Sequence, residues 1–201
     1  MCGLSMGGCI AMTFAARHPD RLSGLVLADT FGPVPLTVGD RLWREALRLT
    51  IPPARPAGYE RVERGMVWLQ QRLSGAGVAG DYGRIEAIRD RGPRMATEEF
   101  AKVIRAIASF HRTRVDFGAI RVPTLLLYGE HETGVIRRQM HELAALIRDA
   151  HLFAVPHAGH VANLDNEAFV GGAIRGHLGL VWPDHAPRDD DPAVVAPGTD
   201  G

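Results

Sequence analysis

The stretch Gly3-Leu4-Ser5-Met6-Gly7-Gly8 limits what this chain can become. It reads G-x-S-x-G, the turn that sets a serine between a strand and a helix. A turn that sharp strains the serine backbone and exposes its Oγ. It also leaves no room for Cβ atoms two positions to either side, so Gly3 and Gly7 are both expected to be required. The helix that begins after the serine offers N–H groups without intrahelical acceptors to a developing anion. With 23 glycines and four serines in the chain, chance supplies only about 0.05 such patterns. The competing explanation is a Gly-rich turn in which Ser5 merely caps a helix. An apolar helical stretch directly behind the turn favours the nucleophile.

That stretch runs from Met6 to His18, with Met6, Ile10 and Phe14 on one line and Ala11 and Ala15 beside them. Arg17 and His18 suit its last turn, and Pro19 stops it. Leu22–Ala28 reads as a strand buried on both faces. From Val34 to about Phe117 helical patterns dominate. Helices are expected over Val38–Leu49, Tyr59–Leu73 and Tyr82–Arg89, and from an N-cap at Thr97 to about Phe110. Pro52, Pro53 and Pro56 are expected to break the first of these. The aromatics Trp43, Trp68, Phe100 and Phe110 are read mainly as packing for this segment's own small core. Leu125–Tyr128 is a second buried strand, Val135–Arg148 a helix, His151–Val155 a third strand, and Asn166–Leu178 a final helix. Beyond Trp182 the Pro- and Asp-rich composition reads as a disordered tail. Strands that alternate with helices imply an α/β fold, with a parallel sheet covered on both faces.

Lys+Arg and Asp+Glu both number 23, a formal net charge of zero. This argues against nucleic acid or an anionic membrane as partner. No apolar run is long enough to span a bilayer, and no signal peptide is recognised, so a cytoplasmic location is expected. Cys2 and Cys9 flank the turn without metal spacing, and Cys9 reads as a small core residue. The histidines show no metal-ligand spacing either. No metal is assigned, and the chemistry read here calls for no cofactor. The oligomeric state is left open.

A serine hydroxyl needs a base within hydrogen-bond reach, and the base needs an orienting acid. Ligands of open parallel sheets bind beyond the carboxyl ends of the strands. Ser5, Glu132 in Gly129-Glu130-His131-Glu132, and His160 in Pro156-His157-Ala158-Gly159-His160 all lie just past strands. They follow one another in the chain order Ser, acid, His.

Four stretches carry a resemblance to the α/β-hydrolase superfamily: CGLSMGGCIAMTFAARHPDRLSGLVLADT, RVPTLLLYGEHE, HLFAVPHAGHVANLD and NEAFVGGAIRGHL. The first is most similar to enol-lactonases of the 3-oxoadipate type. Esterases and cofactor-free haloperoxidases are also similar. The resemblance implies Ser5 as nucleophile, His160 as base, Glu132 as acid and the Met6 N–H as an oxyanion donor. Asp is the commoner acid at the Glu132 position. Asp29 is the alternative acid, and Glu130 is a weaker candidate. His131 and His157 compete nominally with His160. The implied organisation is a hydrolase core at 1–33 and 118–180, a helical cap at 34–117 and the tail at 181–201. The implied activity is hydrolysis of a small ester or lactone, with perhydrolase chemistry as the enzymatic alternative.

The family places several strands before the nucleophile turn, including the loop that supplies a second oxyanion N–H. Only Met1 and Cys2 precede Gly3 here. The resemblance therefore implies an N-terminally shortened chain in which the central strand cannot form and activity is impaired. The alternatives are an inactive fragment or a half-protein completed by another chain.

Overall fold

The computed structural model describes residues 1–75, 77–92 and 95–181. The expected tail, apart from Val181, lies outside them. Four parallel strands stand in the order β1-β2-β3-β4: β1 Cys2–Leu4, β2 Leu25–Ala28, β3 Thr124–Gly129 and β4 Ala150–Val155. The expectation that no strand could precede Ser5 is corrected. Three residues suffice because β2 supplies a full partner, pairing Cys2 with Val26, Gly3 with Leu27 and Leu4 with Ala28. The Met1 carbonyl extends the ladder by accepting the Val26 N–H at 2.8 Å.

Side chains alternate across the sheet. Leu25, Leu27 and Leu126 face one layer. There they meet α1 (Met6–Arg17) through Met12 and Ala15, and α7 (Gly134–Leu146) through Ile136, Met140 and Leu143. Val26, Ala28, Leu125 and Leu127 face the other layer, with Ala162 of α8 (Ala162–Asp165) and Val170 of α9 (Glu167–Val181). Burying Met12, Leu25 and Leu126 completely stabilises the fold by about 1.5–3 kcal/mol each.

Helix α1 is rotated from its expected setting. Cys9, Ala11, Met12 and Ala15 face the core, while Ile10 is 57% exposed and Phe14 36%. The small side chains let the helix lie close on the sheet; a Cβ on Gly8 would come within 2.5 Å of Thr30 Oγ1. Close approach, rather than bulk, chose the buried face.

Between β2 and β3 lie α2 (Val38–Arg48), α3 (Ile51–Ala57), α4 (Tyr59–Ser74), α5 (Tyr82–Arg89) and α6 (Thr97–Ser109). The prolines do not simply break the chain after α2. Pro52 and Pro53 occupy the first turn of α3, where a missing N–H costs nothing. Thr97 is the first residue of α6, and Ala96 precedes it as N-cap. Phe100 packs within the insert, with its ring stacked 5.5 Å from Tyr59. Trp43 and Phe110 instead close edge-on against Phe31 of the main core, and Trp68 is exposed beneath the Arg72 guanidinium. Asp40 ties the insert to the sheet layers. It forms a capping box with Thr37 and accepts from Arg138 at 2.5 Å and Gln139 at 3.0 Å, both on α7. Burial opposes its ionisation, but these bonds prevail and hold its carboxyl at about 2.

Candidate active site

The parallel strands all end on the same edge of the sheet, and the loops beyond those ends carry Ser5, Asp29, Glu132 and His160. Ser5 follows β1 in a left-handed conformation, φ 50° and ψ −121°. For a residue with a Cβ, such a backbone costs about 1–3 kcal/mol and needs surrounding bonds to hold it. The Ser5 N–H donates to the Ala28 carbonyl at 2.9 Å. The Ser5 carbonyl accepts from the Gly8 N–H at 3.0 Å and from Thr30 Oγ1 at 2.6 Å. Thr30 carried no signal in the sequence beyond its place at the end of β2.

The Ser5 side chain makes no cap hydrogen bond to α1. Its Oγ lies 3.0 Å from His160 Nε2. Gly3 is required by the turn, since a Cβ there would fall 2.3 Å from the Gly7 carbonyl oxygen. Gly7 is not, because a Cβ there meets nothing within 4 Å. The close packing expected at Gly7 belongs to Gly8. As the first residue of α1, Met6 has no acceptor for its N–H within the helix.

The other ring nitrogen of His160, Nδ1, lies 2.5 Å from Glu132 Oε2. Glu132 is 3% exposed, and its Oε1 accepts the Thr133 N–H at 2.6 Å. The charge-assisted bond to the imidazole and that N–H together compensate a buried carboxylate. Burial pulls His160 towards its neutral form. The hydrogen bond and charge of Glu132, with the charge of Asp29, outweigh burial, and the His160 pKa stands above the ordinary histidine value.

Asp29 sits at the end of β2 but is occupied elsewhere. Its Oδ1 accepts the Gly129 N–H at 2.8 Å and its Oδ2 the Ala162 N–H at 3.3 Å. Burial pushes its carboxyl up to about 7, against the lowering effects of His160 and those two bonds. Glu130 points to the surface and accepts the His157 N–H at 3.0 Å. His157 is exposed at φ 57°, and the His131 N–H donates to the Ala158 carbonyl. Glu130, His131 and His157, all exposed, bring one ligand atom each within 4.8 Å of one another, a juxtaposition the sequence spacing did not reveal.

An apolar groove of 430 Å³ runs along the outer face of α1. Met6, Ile10, Phe14 and Phe110 line it, with Arg17 and His18 also on its wall. Of its lining residues, Met6 is the neighbour of Ser5 in the chain. Among the described residues, no helix is long and apolar enough to cross a membrane.

Known proteins resemble this chain in sequence and in fold. The chain is 28% identical over 186 residues to the pimeloyl-[acyl-carrier protein] methyl ester esterase of Chromobacterium violaceum, covering 88% of this chain and 68% of that protein. A thermophilic esterase from Thermogutta terrifontis superposes with a TM-score of 0.61 at 28% identity, over 90% of this chain and 64% of that one. The enol-lactonase of Burkholderia xenovorans LB400 superposes with a TM-score of 0.65 at 24% identity, over 88% of this chain and 64% of that one; at that identity the likeness speaks for the fold alone. This chain thus spans roughly two thirds of the length of each. The profile of the alpha/beta hydrolase fold matches residues 1–167, a range that includes the turn at Ser5, the acid loop after β3 and the His160 loop. By that match, and by the parallel sheet that orders those loops, this chain belongs to the alpha/beta hydrolase fold family.

Proposed function

We propose that this chain is a serine hydrolase of small carboxylic esters or lactones. Ser5 Oγ attacks the carbonyl while His160 Nε2 takes its proton. Glu132 holds the imidazole through Nδ1 and steadies the imidazolium that forms. The Met6 N–H stabilises the oxyanion, an interaction whose loss typically costs about 100- to 1000-fold in rate. His160 then passes its proton to the leaving alkoxide, and water hydrolyses the acyl-enzyme by the reverse proton path.

One observation carries the reading: a continuous line of hydrogen-bond contacts from Ser5 Oγ through both nitrogens of His160 to Glu132, at 3.0 and 2.5 Å. The Ser5 hydroxyl is turned towards the imidazole and not towards its helix, which is what a nucleophile requires and a cap does not. The named activities of the two esterases support ester chemistry. The residues around Ser5, which resemble those of enol-lactonases, are what add lactones to the proposed substrate class, and we assign the helical insert α2–α6 as the cap that selects among them.

The test is intact mass after exposure to a fluorophosphonate, with Ser5→Ala alongside. One adduct on the wild-type chain and none on the variant is the expected result. Labelling that survives Ser5→Ala, or a folded wild-type chain that takes no label, overturns the proposal.

A further inference from the structure

Asp165, at the end of α8, joins two parts of the chain that its sequence position does not connect. Its Oδ2 accepts the N–H of Gly159, the residue before His160, at 2.8 Å. Its Oδ1 accepts the N–H of Asp81, in the insert, at 2.7 Å. The His160 N–H donates to the carbonyl of Val78, also in the insert, at 3.0 Å. These bonds hold segment 77–81 hard against the His160 loop. A Cβ on Gly159 would fall 2.2 Å from the Gly77 carbonyl oxygen, and one on Gly80, itself at φ 68°, would fall 2.4 Å from Asp165 Oδ2. Arg84, on α5, closes the bracket from outside by bonding the Leu164 carbonyl and pairing with Glu167.

We infer that Asp165 is a positioning residue for His160, and that through it the helical insert sets where the imidazole stands between Ser5 and Glu132. This rests on the hydrolase reading above. The chemistry at Asp165 is specific. Two backbone N–H groups from different segments meet one side chain, and only a carboxylate offers an acceptor oxygen to each. An asparagine of the same size accepts one and turns its NH₂ against the other. Among the described residues, Asp165 is the one on α8 that bonds Gly159. A base displaced by about 1 Å can lose about 100-fold in rate, so the grip of Asp165 on Gly159 and Asp81 bears on the proton acceptor.

The experiment compares Asp165→Asn with the wild-type chain in two ways. The first is NMR of the His160 ring, following the low-field proton shared between Nδ1 and Glu132. This readout needs no turnover. The second is the rate of fluorophosphonate labelling. Expected for the variant, with its circular dichroism and cooperative melting retained, are loss or broadening of the low-field resonance and labelling slowed by about 10- to 100-fold. An unchanged resonance in folded Asp165→Asn overturns the inference. If that variant does not fold, Arg84→Ala decides. It loosens the same bracket from the exposed side, and a sharp, unshifted His160 resonance in it is equally fatal. Failure of the hydrolase reading shows separately, as absent or Ser5-independent labelling, while the resonance still reports on Asp165.

Discussion

Glu132, and not Asp29, reaches His160: its Oε2 lies 2.5 Å from Nδ1, whereas both oxygens of Asp29 are taken by the N–H groups of Gly129 and Ala162. The two acids stand on neighbouring strand ends, so substitution separates their roles. Glu132→Gln leaves the shape of the site and removes the charge that orients the imidazole. By analogy with other Ser-His-acid sites, kcat should fall by about 10⁴. Asp29→Asn should lower it less, since Asp29 does not touch the imidazole and acts on it through its field and through the Ala162 N–H in the loop that follows His160. Steady-state kinetics on one activated ester measures both, and a larger loss at Asp29 would transfer the acid role to it.

The pH profile follows from the same pair. His160 must be neutral to accept the Ser5 proton, and its pKa is raised above 6.5 despite burial, by Glu132 first and Asp29 second. The ascending limb of kcat/KM should therefore lie above pH 6.5, with activity lost as pH falls through it. Glu132→Gln removes the largest raising influence, so its residual activity should rise at a lower pH than that of the wild type. A limb that does not move in the variant would detach Glu132 from the base.

Asp29 also makes stability depend on pH. Its carboxyl is raised from 3.8 to about 7 by burial, so the folded chain holds a proton that the unfolded chain has released across that window. Under linkage, stability falls as pH rises from about 4 to about 7, and the contribution is fully lost above. Urea melts at pH 5 and pH 8 should show the wild-type chain losing more stability between the two than Asp29→Asn. Equal losses would mean that Asp29 is ionised in the folded chain throughout.

The repeating patterns were legible in the sequence. The three strands that carry continuous apolar runs, and the long helices α7 and α9, lie where composition and period place them, within a few residues. Ser5, Glu132 and His160 were also readable, because a turn motif and two loops past strands mark them. What could not be read was set by contacts between distant segments. The buried face of α1 depends on how closely small residues let it approach the sheet, so the line through Ile10 and Phe14 misled. Pro52, Pro53 and Pro56 read as breakers, yet α3 runs over Ile51–Ala57 with two of them in its first turn. Thr30 and Asp165 serve backbone groups 25 and 84 residues away, and no local pattern announces such bonds.

The glycines of the turn yield a last prediction that runs against the motif. Gly3 and Gly7 are the paired small residues of G-x-S-x-G, yet only Gly3 lacks space for a side chain. Gly3→Ala drives a methyl group into the Gly7 carbonyl oxygen, a rigid backbone atom, and must displace either β1 or the start of α1. Gly8→Ala meets the Thr30 side chain, which can yield only by giving up its 2.6 Å bond to the Ser5 carbonyl. Gly7→Ala meets nothing and lies inside α1, where alanine is favoured over glycine by about 1 kcal/mol. Thermal melts should therefore rank Gly7→Ala at or above the wild type, Gly8→Ala below it and Gly3→Ala lowest. Fluorophosphonate labelling should follow the same order for Gly3 and Gly8, because both substitutions disturb the backbone that holds Ser5 at positive φ. If Gly7→Ala melts as low as Gly3→Ala, the turn is tighter around Gly7 than its geometry indicates, and the usual reading of the motif applies to this chain after all.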